Sequence, residues 1–183
     1  MESLANIAGL PSCAIVAMGV SGCGKSTLVA HLAERLGCPA FEGDSYHSEA
    51  SVAKMRAGQP LEDGDRWPWL DRLGAAIGDA VRERGIAVAA CSALKRSYRA
   101  RLEAAAGVPV RFVLLDGDRD AIGEQMRRRT AHYMPPSLLD SQFAALERPG
   151  ADENALVLHC YRPIEVLGDA ALAWVQAGMV AAR

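Results

Sequence analysis

The stretch Gly19-Val20-Ser21-Gly22-Cys23-Gly24-Lys25-Ser26 constrains this chain more than any other. It matches the pattern G-x-x-x-x-G-K-[ST], follows the short apolar run Cys13–Met18 and opens a segment of helical period, Ser26–Leu36. Glycines let the backbone turn so tightly that successive N–H groups converge on one point. A helix starting there directs the positive end of its dipole at the same point, so the loop is built to hold phosphate. A chance match somewhere in a chain of this composition has a probability of roughly two in a thousand. Gly19, Val20, Ser21, Gly22, Cys23, Gly24, Lys25, Ser26 and Thr27 are therefore the predicted nucleotide-binding residues. Lys25 is expected to reach the β- and γ-phosphates of ATP, and the Ser26 hydroxyl to ligate Mg²⁺.

The alternation seen at the loop continues along the chain. Apolar runs at Cys13–Met18, Ile86–Cys91, Val110–Leu115 and Ala155–His159, with a weaker one at Pro39–Glu42, read as strands buried on both faces. Between and after them, helices are predicted at Ser26–Leu36, Ser48–Ala57, Trp67–Arg84, Arg96–Ala105, Asp118–Arg129, Pro136–Glu147 and Pro163–Ala177. Strand–helix alternation of this kind predicts an α/β fold of three layers, an open parallel five-stranded sheet with helices on both faces. Ligands of such sheets bind beyond the carboxyl ends of the strands, where every motif of this chain falls. The 183 residues are expected to form one domain, with 1–12 as an N-terminal extension.

Composition narrows the partners. A formal net charge of −2 and the lack of an aromatic-plus-basic stripe argue against nucleic-acid or membrane-surface binding. The five scattered cysteines contain no C-x-x-C and predict reduced thiols. No apolar run is long enough to span a bilayer, and the opening MESLANIAGLPS lacks the positive start of a signal peptide, so a cytoplasmic location is expected.

A phosphoryl-transfer site needs an acid near the γ-phosphate. The run Ile86–Cys91 ends without one, and Asp116, beside Asp118 and Asp120, suits a solvated turn and helix start. Asp44 ends the strand after the loop helix and is the better candidate, as a base for an attacking hydroxyl, as a holder of magnesium water, or both. Ser26 and Asp44 are thus the predicted metal residues, and His47 a candidate for an acceptor hydroxyl. No N-K-x-D-type element for guanine is present, which leaves a small-molecule kinase.

With these residues in place, the chain resembles the small thermoresistant-type gluconokinases, related in fold to nucleoside monophosphate, shikimate and adenylylsulfate kinases. The resemblance runs from Ala14 to about Pro163. Its blocks are Asp44-x-x-His47, Lys54-Met55-x-x-Gly58-x-Pro60-Leu61, Asp63-x-Asp65-Arg66-x-Pro68-Trp69-Leu70 and Cys91-Ser92-Ala93-Leu94-Lys95-x-x-Tyr98-Arg99. Further on come His132-x-Met134-Pro135-Pro136-x-Leu138-Leu139-x-Ser141-Gln142-Phe143 and Pro149-x-Ala151-Asp152-Glu153. It implies ATP- and Mg²⁺-dependent phosphorylation of D-gluconate at its 6-hydroxyl, with Lys25, Asp44, Lys95 and Arg128 catalytic. It also implies Asp44, His47, Arg66, Lys95, Arg99 and His132 around the acceptor. Gluconate is an anion, and Arg66, Lys95 and Arg99 suit its carboxylate. Arg127-Arg128-Arg129 and the loop after them, about 128–138, are expected to form a small lid. The chain departs from the family at Ala131-His132-Tyr133, usually Gly-His-Phe, and at Ala100, usually an acid. A homodimer is compatible with the apolar helix faces. The alternatives are a kinase for another small sugar acid or hydroxy acid, shikimate-kinase-like, and a catalytically weak nucleotide-binding module.

Overall fold

The structure, a computed structural model, describes residues 9–128 and 137–178, the side chains of 125, 127, 128 and 137 excepted. Five strands form one parallel sheet: β1 (Cys13–Met18), β2 (Ala40–Glu42), β3 (Ile86–Ala90), β4 (Val110–Asp116) and β5 (Ala155–His159). Their spatial order is β2-β3-β1-β4-β5, so β1 lies at the centre with β3 and β4 beside it. The chain leaves β1 toward one edge and later returns to its other side, and the loop after β1 opens at that switch point.

The residues of β1 alternate between two cores. Cys13, Ile15 and Ala17 face Leu28 and Leu32 of α1 (Lys25–Leu36) and Ala171 and Val175 of α7 (Ile164–Ala177). Ala14, Val16 and Met18 face Leu70, Leu73 and Ile77 of α3 (Asp63–Arg84) and Leu102 of α4 (Arg96–Ala106). This is the expected three-layer arrangement, with both sheet faces covered. The remaining helices, α2 (Glu49–Arg56), α5 (Arg119–Arg128) and α6 (Ser137–Ala145), lie around the carboxyl end of the sheet or lead into it.

One boundary departs clearly from expectation. Helix α3 begins at Asp63 rather than Trp67, because Glu62 and Asp65 form a reciprocal capping box that starts it a turn before Pro68. Pro68 therefore lies inside the helix, beyond its first turn, and leaves the Gly64 carbonyl without its i+4 donor. Residues Asp63, Asp65 and Arg66 are thereby fixed on a helix end instead of a loop.

Helices α3 and α4 pack through glycine. A Cβ on Gly78 would run into the Ala106 carbonyl, and one on Gly74 would lie 2.8 Å from the Leu102 carbonyl oxygen. Backbone atoms cannot move aside as a side-chain tip can. Gly78→Ala is expected to cost about 1–3 kcal/mol through overpacking. Gly64→Ala, at a helical position with no atom within 4 Å, should be neutral or slightly stabilising. Thermal melts of the two variants compare them directly.

Candidate active site

The phosphate loop follows from local geometry. Gly19, Gly22 and Gly24 adopt φ values of 134°, 82° and 100°, a region closed to most side chains. A Cβ on Gly19 would lie 2.8 Å from the Leu115 carbonyl oxygen, so the loop is pressed against the end of β4. Val20 and Cys23 turn their side chains into the core and leave the loop's polar face to the backbone. Ser21, Gly22, Gly24, Lys25, Ser26 and Thr27 line one cavity together with Glu42 and Asp44. Lys25 donates from Nζ to the Val20 carbonyl (2.8 Å), which bends it back over the loop.

The acids beside the loop come from β2 and the single 3₁₀ turn that follows it, Gly43–Tyr46. Ser26 Oγ donates to Glu42 Oε2 at 3.0 Å. The Trp69 indole N–H donates to the Gly43 carbonyl (2.7 Å), and Arg72 holds the Tyr46 carbonyl (2.7 Å). A Cβ on Gly43 would strike the Ala90 carbonyl, so only glycine lets the turn sit this close to β3. Asp44 projects from this clamped turn with its side chain 59 % exposed, facing the cavity. The hard-oxygen set of Ser26, Glu42 and Asp44 fits a magnesium ion that keeps most of its waters and shares phosphate oxygens. Asp116 is engaged elsewhere, in an ion pair with Arg148 (2.9 Å), and Asp118 caps α5 through the Asp120 and Ala121 N–H groups.

His47 stacks on Trp69 with ring centroids 4.1 Å apart and lies 4.0 Å from Asp44 through Nε2. Burial pushes its pKa down to about 4 against a partial rise from Asp44, so the ring is neutral near pH 7. Its Nδ1 is buried without a hydrogen-bond partner among the described residues. A neutral imidazole so placed suits a hydroxyl-bearing ligand, because it can both accept and donate.

Opposite the loop, a second cavity is walled by Asp44, His47, Arg66, Ser92, Ser141 and Gln142, with Ser21 and Lys25 at the shared boundary. It continues past Arg66 to Asp63 and Lys95. Here Asp63 accepts from Tyr98 Oη (2.5 Å) and Lys95 Nζ (3.0 Å), with Arg66 Nη1 4.0 Å away. The Tyr98 and Lys95 hydrogen bonds lower the Asp63 pKa, and the Asp63 bond raises that of Lys95. Arg66 also donates to the Leu61 carbonyl and lies over the Tyr98 ring. Arg66 and Lys95 thus bring two cations to this end of the cavity, where Glu62 and Asp63 balance them until an acidic ligand competes for the bonds.

Arg99 stands apart from the acceptor residues with which it was grouped. Its side chain is only 2 % exposed and makes a two-pronged ion pair with Glu153 at 2.6 and 2.9 Å. The same guanidinium donates to the carbonyls of Ala93, Leu94 and Glu147. These bonds hold it in the interior, so it braces the 92–95 loop and does not line the acceptor cavity. The i,i+4 spacing from Lys95 does not put them on one working surface, because Lys95 is the residue before α4 and has extended backbone. Lys54 binds both oxygens of Asp65 at 2.9 Å and ties α2 to α3. The Arg128 side chain and all of His132 lie outside the described residues, as does most of the 128–138 lid segment.

Several residues at the site had not been singled out for it. Glu42 was signalled by its place at the end of β2, and Asp63, Tyr98 and Gln142 by lying inside the family blocks. None of the helices among the described residues is long and apolar enough to cross a membrane.

Comparison with known proteins agrees with this geometry. A family model described as an AAA domain matches residues 15–149. A gluconokinase of Gluconobacter oxydans is 47% identical over 148 residues, covering 81% of this chain and 83% of the relative. Escherichia coli thermoresistant gluconokinase is 39% identical over 152 residues, covering 82% and 86%. Among solved structures, a gluconokinase from Sinorhizobium meliloti superposes with a TM-score of 0.78 at 42% identity, over 91% of this chain and 93% of that one. An adenylylsulfate (APS) kinase of Mycobacterium tuberculosis, at 20% identity and a TM-score of 0.59, shares the fold. The extent and identity of these matches, over the span that carries the loop, the Asp44 turn and the Arg66–Lys95 cluster, show that the chain belongs to the gluconokinase family.

Proposed function

We propose that this chain transfers the terminal phosphate of ATP to the 6-hydroxyl of D-gluconate, giving 6-phospho-D-gluconate and ADP. The observation that carries the reading is a row of adjoining cavities that share lining residues. It has a phosphate cradle at one end, the cations Arg66 and Lys95 at the other, and Asp44 between them. Lys25 and the loop N–H groups hold the phosphates. Asp44 takes the proton from the acceptor hydroxyl as its oxygen bonds to the γ-phosphorus and the bond to the β-phosphate oxygen breaks. Neutral His47 orients a hydroxyl, and Arg66 with Lys95 anchors the carboxylate. Ser26 and the acids Glu42 and Asp44 would hold Mg²⁺, which would supply charge neutralisation at the phosphate oxygens.

The test is ATP consumption with Mg²⁺ against a panel of aldonates, shikimate, adenylylsulfate and nucleoside monophosphates. Gluconate-dependent turnover is expected, and its absence would overturn the assignment. Within that assay, Lys95→Met should raise KM for gluconate by about 10–100-fold through loss of a charge-assisted hydrogen bond, leaving KM for ATP nearly unchanged.

A further inference from the structure

The boundary between the two cavities is marked by Ser21, Lys25 and Asp44, which line both. Of these, Ser21 donates its backbone N–H to Gln142 Oε1 at 2.6 Å, across 121 positions of sequence. The bond is short and partly buried, and Ser21 is only 7 % exposed. A loop of this kind normally turns its N–H groups toward phosphate. Here a carboxamide oxygen, similar in size and acceptor character to a phosphate oxygen, meets the donor nearest the acceptor cavity. Gln142 lies on α6 and its side chain lines the acceptor cavity beside Ser141 and Arg66.

We infer that Gln142 is a positioning residue that occupies the place of a γ-phosphoryl oxygen on the Ser21 N–H, and yields that donor when ATP binds. The β-phosphate belongs deeper, at the start of α1 around Gly24–Thr27, past the Ser21 N–H that Gln142 occupies. ADP therefore does not displace it. Once displaced, the carboxamide remains within the acceptor cavity and turns toward the hydroxyls of the bound acceptor. The residue thereby links arrival of a triphosphate, and not a diphosphate, to completion of the acceptor site. This inference rests on the proposed reaction only in requiring that nucleotide and acceptor share the cleft.

Calorimetric titration of the wild type, Gln142→Met and Gln142→Glu with a non-hydrolysable ATP analogue and with ADP, both with Mg²⁺, tests the inference. Methionine keeps the side-chain length and packing but removes the strong acceptor. Gln142→Met should bind the ATP analogue about 2–10-fold more tightly than wild type, the range of one net hydrogen bond, with ADP affinity unchanged. Gln142→Glu, whose carboxylate holds the N–H more strongly and repels the γ-phosphate, should bind the analogue at least about 10-fold more weakly, again with little change for ADP. KM for gluconate should rise in Gln142→Met. Equal shifts for analogue and ADP, or weaker analogue binding by Gln142→Met, would overturn the inference and leave Gln142 a packing residue. A wild type that binds neither nucleotide would instead overturn the kinase reading itself.

Discussion

Asp44→Asn should lower kcat by about 10²–10⁴-fold, the range supplied by a positioned general base. The amide keeps the shape of the side chain but cannot take a proton at neutral pH. The turn that carries it is held by Trp69, Arg72 and the close approach of Gly43 to β3, none of which the substitution touches. Affinity for the ATP analogue should therefore change little. Steady-state kinetics with a parallel Mg²⁺ titration separates the two roles open to this carboxylate. A fall in kcat at saturating Mg²⁺ identifies the base, whereas recovery at high Mg²⁺ identifies a holder of the ion's water. Full activity in the variant would remove Asp44 from the mechanism.

The second large effect lies outside the reacting centre. Glu153→Ala strands the Arg99 guanidinium, and removing one partner of a buried pair typically costs about 3–5 kcal/mol. For a chain of this length each kcal/mol is about 2–4 °C in Tm, so a fall of roughly 6–20 °C is expected by calorimetry. Replacing both partners with apolar residues should not restore stability. Arg99 also satisfies the carbonyls of Ala93, Leu94 and Glu147, and these would lose their donor. The pair has an acid signature. Arg99 holds the Glu153 carboxyl below its ordinary value of 4.5, so its contribution is fully present above that value. It disappears as pH falls through the lowered folded-state value. Denaturant midpoints should thus drop more steeply on acidification in the wild type than in Glu153→Ala.

That pair also has a functional reach. Ala93 is the only non-glycine residue among those described with a positive φ (42°), a conformation that L-residues adopt at some cost. Arg99 bonds its carbonyl, and Glu147 receives the Arg96 N–H on its carboxylate while donating its own N–H to Leu94. The 92–95 loop is thus fixed from beneath, which sets where Ser92 and Lys95 enter the cleft. Loss of Glu153 should weaken gluconate binding at temperatures where the protein remains folded.

The sequence by itself determined the phosphate loop, the five strands and the placing of Asp44 at a strand end. Each depends on contiguous residues: backbone N–H convergence, alternation of apolar runs with helical periods, and the rule that ligands gather at carboxyl ends. The start of α3 was also written locally, in the Glu62–Asp65 capping box, a turn ahead of the Trp67 start expected from the helical period. Tertiary structure decided the rest. Lys95 and Arg99 are both strongly basic and four positions apart, yet Lys95 meets Asp63 at the cleft while Arg99 meets Glu153 in the interior. Ser26 finds Glu42, and Ser21 finds Gln142, only because parallel strands and their helices return distant segments to one edge of the sheet. A charge's partner sets whether it serves substrate or scaffold, and a partner 54 or 121 positions away leaves no mark on local spacing. The loop that begins the sequence argument thus fixes where phosphate binds, while the fold decides which side chains face it.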